Sequence, residues 1–433
     1  MKYENGKIYI EKKSGSHIYT DVILLGVILS SVLNIFGSSI FCIYQLMLIL
    51  VMMLLYGLNK SVERLVIFVK IHIALTLSFI IWILMGLYLR VDTIQLLRII
   101  SIYFIIFAGY LYVQRVGVDG LRKSLGRLVI LLIIAVILGL LWYFSGSHPL
   151  TNISELAHKY ITNTNRITSI WLHPIPCACF VGIMILLCSG LYDGIMKLAC
   201  LVLGLVALIL TQSRSAWIAV VITLLVYNYY KLQTFIKLKI KKKTILWMVF
   251  ILVILVGGGY LFRNQILSLL LLIEERLFRE KLGTDMSFVW RLNSIVTIFS
   301  KSLSGNVIEL LFGHGMYSGG EVLSAMNFGN IFKYNVGTVD NSYISALYDY
   351  GILGAIWLVG CIMWIIRICL SRKTSFYPKI IGSILLLLLI MAAFFEELYW
   401  CNISYVFFVF IGIELGLINC TNSKRRYWKK NGN

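Results

Sequence analysis

The sequence predicts an all-α integral membrane protein with about twelve transmembrane helices. Of its 433 residues, 60% are hydrophobic and only 13% are charged, whereas soluble domains are about 45–50% apolar and about 25% charged. Apolar runs long enough to cross a hydrocarbon core of about 30 Å recur along nearly the whole chain. These runs are continuously apolar and lack the two-residue alternation of barrel strands, so they indicate helices.

The predicted spans divide the chain into three regions. Transmembrane helices lie in residues 1–262, a large outer loop in 263–350, and further transmembrane helices with a basic tail in 351–433. The first span is not expected to be a signal peptide, because its N-terminal flank is long and no small-residue cleavage site follows. In chain order the predicted spans are residues 21–37, 39–58, 65–89, 94–113, 127–144, 170–192, 195–212, 215–231, 244–262, 351–370, 377–394 and 403–419.

The distribution of Lys and Arg predicts the orientation. With the N-terminus inside, most of the 39 basic residues fall in inner segments, as expected of cytoplasmic loops. Both termini are therefore predicted to be cytoplasmic, and the long loops to face outward. The net charge of +20 is spread beside membrane spans, where topogenesis and contact with anionic lipid account for it. Without a basic soluble module, nucleic-acid binding is not expected. The nine cysteines show no metal-binding or disulfide spacing.

The large outer loop is predicted to contain two amphipathic helices. In the first, apolar residues from Ile266 to Leu277 recur at helical spacing opposite charged residues, a pattern typical of a helix on the membrane surface. The second is predicted to begin near Thr284 and to continue to Leu303. Arg291 then projects from the flank of its apolar stripe.

Two polar motifs follow in the same loop. His314 stands between two glycines in Phe312-Gly313-His314-Gly315, which would leave its ring accessible to a ligand. The alternative is a tight turn with an incidental histidine. The segment Asp340-Asn341-Ser342-Tyr343 stands just before the tenth predicted span.

Three further outer residues carry polar chemistry. Arg166 precedes the sixth predicted span, His173 stands at the entry of that span, and Arg214 lies between the seventh and eighth spans, which almost no loop separates. Arg214 could simply extend toward lipid headgroups, but an ionisable group near membrane depth favours a functional site. Together with Arg291, the arginines indicate an anionic ligand, because guanidinium groups match phosphate oxygens bidentately. A lipid pyrophosphate meets these requirements.

These motifs, in this order, resemble those of the O-antigen polymerase and ligase superfamily, to which the Wzy-type capsule polymerases belong. The resemblance rests on the many spans, on Leu210-Thr211-Gln212-Ser213-Arg214-Ser215-Ala216-Trp217, on the late outer loop with Phe312-Gly313-His314-Gly315, and on Asp340-Asn341-Ser342-Tyr343 leading into Tyr350-Gly351. Arg166 with Trp171 and His173-Pro174 resembles the motif that opens the preceding span in that family.

The resemblance implies a GT-C-like bacterial membrane glycosyltransferase that acts on undecaprenyl-pyrophosphate-linked oligosaccharides outside the cytoplasmic membrane, without a metal or other cofactor. It also implies a flippase and a chain-length regulator as partners. Arg166, Arg214 and Arg291 match family arginines that hold the pyrophosphate, and His173, Asn341 and Tyr343 are expected to contribute to substrate binding. In the ligase branch a histidine precedes the position of Asn341, where this chain has Asp340. That difference favours a polymerase.

The implied reaction transfers a growing glycan from its lipid pyrophosphate to a sugar hydroxyl. Arg291 is expected to stabilise the charge on the leaving group, and Asp340 or His314 could accept the hydroxyl proton. A ligase would use the same site with another acceptor. A lipid-linked oligosaccharide flippase is a further alternative, although the sequence shows no internal repeat and little charge at the centres of the spans.

Overall fold

The computed structural model describes most of the chain, and the predicted second to eighth and tenth to twelfth spans fall within the described part. The first predicted span is described only at residues 26–27 and 30, and the ninth span and the first amphipathic helix lie outside the described residues. The described residues are 2–4, 7–9, 26–27, 30, 38–89, 91–146, 148–152, 166–237, 286–325, 338–371, 374–395, 398 and 401–431.

The described structure is helical, apart from a short antiparallel pair of strands that the sequence pattern did not predict, β1 (Lys2–Glu4) and β2 (Lys7–Tyr9). The helices are α1 (Ser38–Tyr56), α2 (Leu58–Ile71), α3 (Ile73–Tyr88), α4 (Thr93–Ser145), α5 (Pro174–Leu191), α6 (Gly194–Leu210), α7 (Arg214–Lys237), α8 (Met286–Ser304), α9 (Val307–Phe312), α10 (Ser318–Ala325), α11 (Ser342–Leu370), α12 (Phe376–Ala392) and α13 (Cys401–Asn431). Short 3-10 turns cover Pro149–Asn152 and Ser169–Trp171.

The protein is a multi-pass membrane protein. Within the described residues, 4 helices are long and apolar enough to cross a membrane, namely Thr93–Ser145, Pro174–Leu191, Ser342–Leu370 and Asn402–Cys420. The bent pair α1 and α2 would make a fifth span if its two parts cross together. Shorter apolar helices are α3, α6, α12 and Arg214–Tyr229. The predicted number of about twelve spans is therefore not confirmed.

Three predicted spans differ from the observed helices. The third, residues 65–89, is divided at His72 into α2 and α3, and α2 bends away from α1 by 108°. Lys70 stands in the last turn of α2, and His72 has a non-helical φ of -115° and ψ of 44° at the break. The fourth and fifth spans are joined in α4, which is broken only where Gly117 adopts a φ of 69°.

The second predicted amphipathic helix is confirmed as α8. Its apolar stripe is exposed, whereas an amphipathic helix of a soluble protein buries that stripe. Its buried positions include Ser294, Ile298 and Ser302, while the apolar stripe through Val296 and Phe299 is exposed. Ser294 Oγ donates a hydrogen bond to the carbonyl of Val339 at 3.0 Å. Polar contacts therefore fix α8 against the chain just before α11.

A break in α11 lies where the segment after α9 packs against this helix. Gly351 has a φ of 65°, and a Cβ there would lie 2.5 Å from the carbonyl carbon of Leu311 at the end of α9. Gly313 has a φ of 87°, and its Cβ would lie 2.2 Å from the carbonyl oxygen of Asp349. Only glycine allows this left-handed conformation and backbone approach without strain. The segment after α9 therefore packs directly against the backbone of α11.

Candidate functional site

Arg291 and Asp340, which are 49 positions apart in the sequence, form an ion pair at the N-terminal end of α11. Arg291 Nε donates to Asp340 Oδ2 at 3.2 Å, and Thr338 Oγ1 donates to Asp340 Oδ1, also at 3.2 Å. Burial raises the pKa of Asp340 above its ordinary value, although the Arg291 charge and the hydrogen bonds from Arg291 and Thr338 lower it. The Asp340 side chain is 13% exposed and that of Arg291 is 34% exposed. A ligand can thus reach the guanidinium.

His173 connects this pair to Arg166. Burial, with the positive charges of Arg166 and Arg291, lowers the pKa of His173 to about 3. Its Nδ1 accepts a hydrogen bond from the Ile175 N–H at 3.3 Å as the N-cap of α5. The ring is therefore neutral, with its proton on Nε2. It stacks on Phe395, with 5.6 Å between centroids. Two arginines thus act on one neutral imidazole.

The turn between α6 and α7 lies beside Arg166. Arg166 Nε donates to the Thr211 carbonyl at 2.7 Å, and the Ile167 N–H donates to the Leu210 carbonyl at 3.1 Å. Arg214 is the first residue of α7, three positions after Thr211. The chain therefore places Arg166 and Arg214 at the same end of this helical pair.

Asn341 and Tyr343 attach α11 to the end of α12. Asn341 Oδ1 caps α11 by accepting the N–H groups of Tyr343 and Ile344, each at 3.0 Å. Asn341 Nδ2 donates to the Ala393 carbonyl at 2.8 Å, and the Tyr343 hydroxyl donates to the Leu389 carbonyl at 2.6 Å. These bonds fix the first turn of α11, next to Asp340.

His314 is held in a different environment. Its ring stacks on Tyr348 at 4.1 Å between centroids, and Nε2 lies 3.5 Å from Glu309 Oε2. The backbone N–H of His314 donates to the Tyr348 carbonyl at 3.0 Å. The side chain is 20% exposed, which is less than the flanking glycines suggested. Tyr348 lies seven residues along α11 from Asn341, a rise of about 10 Å.

Asp349 is a buried carboxylate that the sequence analysis did not single out. It is 2% exposed. Its Oδ2 accepts the Tyr317 N–H at 2.8 Å, and its Oδ1 accepts from Ser318 Oγ at 2.9 Å and from the Gly319 N–H at 3.1 Å. The donors are mostly backbone groups, which no side-chain pattern reveals. Asp349 therefore anchors the start of α10 to α11.

Arg98 was also missed, although it meets the criterion applied to Arg214, an ionisable residue within an apolar run. It is 8% exposed in α4, and its guanidinium carbon lies 4.6 Å from the centre of the Tyr317 ring. This cation–π contact attaches α4 to the segment between α9 and α10.

An apolar cavity extends along α11 from the end that carries the Arg291–Asp340 pair. It has a volume of about 560 Å³, part of it open to solvent. The lining residues of α11 run from Ser342 to Leu358, on both sides of the break at Gly351. The other lining residues are mostly aromatic or aliphatic, among them Phe79, Trp82, Ile99, Tyr350, Trp357 and Phe408.

Residues 199–359 match the Wzy_C family model, described as O-antigen ligase. The matched range holds the α6–α7 turn, α8 and the first part of α11, hence Arg214, Arg291, His314 and Asp340. Arg166 and His173 precede it. The match covers less than half of the chain. No curated protein matches the chain.

Proposed function

We propose that this chain, with its Wzy_C domain at residues 199–359, is a polysaccharide polymerase that joins undecaprenyl-pyrophosphate-linked repeat units. It acts on the outer face of a bacterial cytoplasmic membrane, with both termini in the cytoplasm, and serves capsule, O-antigen or exopolysaccharide synthesis. The observation that carries the proposal is the ion pair of Arg291 and Asp340 at the start of α11, together with the action of the Arg166 and Arg291 charges on the same histidine, His173.

The arginines hold the pyrophosphate of the donor. Arg291 is the best placed to act, because a third of its side chain is exposed while its Nε is fixed by Asp340. Arg166 and Arg214 flank the α6–α7 turn and complete a positive surface. His173 stays neutral beside Arg166 and Arg291, so it can donate from Nε2 without adding charge. Such preorganised donors stabilise the negative charge that develops on the leaving group.

Asp340 is the better of the two candidate bases. Its carboxylate has a pKa raised by burial, which makes it a stronger proton acceptor than an exposed aspartate. The acceptor hydroxyl oxygen attacks the anomeric carbon of the donor glycan, and its proton passes to Asp340. The bond from that carbon to the pyrophosphate oxygen breaks, and undecaprenyl pyrophosphate leaves with the electron pair. His314 then has a positioning role through its contacts with Tyr348 and Glu309.

The apolar cavity supports a lipid-linked substrate. Ser342, two residues after Asp340, lines one end of the cavity, and its hydroxyl donates to the Phe395 carbonyl at 3.1 Å. The pyrophosphate would sit at the arginines while the isoprenoid chain enters the apolar walls. A soluble nucleotide sugar would have no use for such a cavity.

The test is deletion of the gene in its own host, with lipid-linked and surface glycans resolved by size. A polymerase predicts that single repeat units accumulate on undecaprenyl pyrophosphate, accessible from outside, and that long polymer is lost. Complementation with Arg291→Ala should fail, although the protein reaches the membrane in wild-type amount. Polymer synthesis unchanged by Arg291→Ala would refute the assignment.

A ligase is the second candidate, because O-antigen ligase is the description of the matching family model. It would move finished polymer from the same lipid pyrophosphate to another acceptor. Deletion would then leave long polymer on the lipid carrier. Accumulation of single units facing the cytoplasm would instead identify a flippase.

A further inference from the structure

The outer helices α8 and α9 present an apolar surface that the described part of the protein does not cover. On α8 it comprises Leu292, Val296, Phe299 and Leu303, which are 51%, 55%, 43% and 60% exposed. On α9 it continues through Val307, Ile308 and Leu311, which are 70%, 49% and 41% exposed. We call these seven residues the outer stripe. At spacings of three and four residues, the four on α8 form one continuous face.

The orientation of α8 is fixed by contacts on another side of the helix. Ser294 Oγ bonds the Val339 carbonyl and Arg291 Nε bonds Asp340, while Ile298 is fully buried against α10 and α11. At about 100° per residue, these buried positions lie well over 90° around the helix from Val296. The outer stripe therefore faces away from the protein, although nothing in water would favour that arrangement.

The position of α9 indicates what covers the outer stripe. α9 packs against α3 and α11, and the Cβ of a residue at Gly315 would contact Val91 just beyond α3. The last turns of α3 expose Leu84, Leu87 and Tyr88 at 59%, 58% and 72%. The outer stripe thus continues from the end of a lipid-facing apolar helix. α8 itself is not among the candidate spans, and one apolar face beside polar positions is typical of a helix that lies along a membrane surface.

We propose that the outer stripe inserts into the outer leaflet and holds α8 and α9 in the plane of the membrane interface. This surface is separate from the Arg291–Asp340 pair. Arg291 lies about 100° around the helix from Leu292, so burial of the stripe in acyl chains leaves the Arg291 guanidinium at headgroup depth. α8 is thereby a membrane anchor that sets the height of this arginine.

The test uses the full chain, one copy per nanodisc, in phosphatidylethanolamine and phosphatidylglycerol. A phospholipid with a photoreactive diazirine on its acyl chain is included, and the labelled residues are located by mass spectrometry. Insertion predicts label on Leu292, Val296 and Phe299. It predicts none on Asn293 or Ser304, which are exposed on the adjacent polar face. Label on both faces alike, or on neither, would overturn the proposal.

A second measurement distinguishes whether lipid or protein covers the outer stripe. Single cysteines replace Val296 or Phe299, with Asn293→Cys and Ser304→Cys as matched controls, and a water-soluble maleimide is followed at each site by peptide mass. Insertion predicts at least about tenfold slower reaction at the stripe. Equal rates would show that the stripe faces water. Slow reaction without lipid label would show that protein covers it, either residues 238–285 or a second copy. Both results overturn the proposal, and neither depends on the reaction catalysed.

Discussion

The hydrogen bonds of Asp349 predict a measurable local weakening in Asp349→Asn. The amide oxygen can replace Oδ1 toward Ser318 and Gly319, but the new NH₂ group then faces the Tyr317 N–H, which loses its acceptor at 2.8 Å. A buried hydrogen bond to a charged group contributes about 1.5–3 kcal/mol. Since about 1.4 kcal/mol is a factor of ten, hydrogen exchange at the Tyr317 amide should accelerate roughly 10- to 100-fold where it occurs by local opening.

The same substitution should reduce catalysis. α10 packs against α8 through a small core that includes Leu323, Ile298 and Tyr348, so a looser α10 leaves Arg291 less well placed. If the arginine acts in the transition state, the rate at saturating lipid-linked substrate falls more than KM rises. Both effects are measured on purified protein in nanodiscs, by exchange mass spectrometry and by glycan elongation. Unchanged exchange at Tyr317 would refute the reasoning.

Asp92→Asn is the matched control for this experiment. Asp92 caps α4 from an exposed position, where its side chain accepts only a long bond of 3.4 Å from the Ile94 N–H. Asparagine caps a helix about as well as aspartate. Exchange and elongation should therefore stay at the wild-type level, and a loss equal to that of Asp349→Asn would show that the change of charge alone matters.

Three further predictions concern the ion pair and the break in α11. Asp340→Asn should abolish elongation in vitro, because it removes the proton acceptor, whereas His314→Gln should lower the rate by less than about tenfold. The reverse ranking in folded variants would make His314 the base. Burial raises the pKa of Asp340, so the elongation rate should rise with pH above the ordinary carboxyl range of about 4. Arg291→Gln should move this rise to higher pH, because the positive charge that lowers the pKa of Asp340 is lost. A rise at the same pH in both proteins would show that Asp340 does not accept the proton. Gly351→Ala should lower the melting temperature, because a left-handed residue costs about 1–2 kcal/mol and the new Cβ would lie 2.5 Å from backbone atoms. Gly360→Ala should leave the melting temperature unchanged, because a Cβ there has nothing within 4 Å. Equal melting temperatures of the two variants would contradict this prediction.

Apolar periodicity identified most of the described helices, but it did not indicate the break at His72. α8 begins at Met286 and ends at Ser304, close to the predicted bounds, because its apolar spacing is regular. The predicted span 65–89 is divided into α2 and α3 because His72 leaves the helical conformation, and a hydropathy average over the whole run does not detect a break at one residue. The spacing of apolar residues also could not show whether lipid or protein covers the apolar face of α8, because both environments favour the same residue types.

The candidate site was predictable in part, because charged residues at outer span ends tend to share one side of the membrane. That argument selected Arg166, Arg291 and Asp340; in the structure Arg291 pairs with Asp340, and the charges of Arg166 and Arg291 both act on His173. It could not pair Arg291 with Asp340, because the contact joins positions that are 49 residues apart. It also missed Asp349, whose partners are backbone N–H groups of a turn that forms only when α10 docks.

The two aspartates of this region show why one suits proton transfer and the other does not. A carboxylate offers about four lone-pair positions. At Asp349 at least three donors occupy them, two from backbone N–H groups, and the side chain is 2% exposed. At Asp340 the partners are Arg291 and Thr338, each at 3.2 Å, and the side chain is 13% exposed. Asp340 therefore keeps lone pairs for a substrate hydroxyl beside a cation that can hold the leaving pyrophosphate, whereas protonation of Asp349 would release α10 from α11.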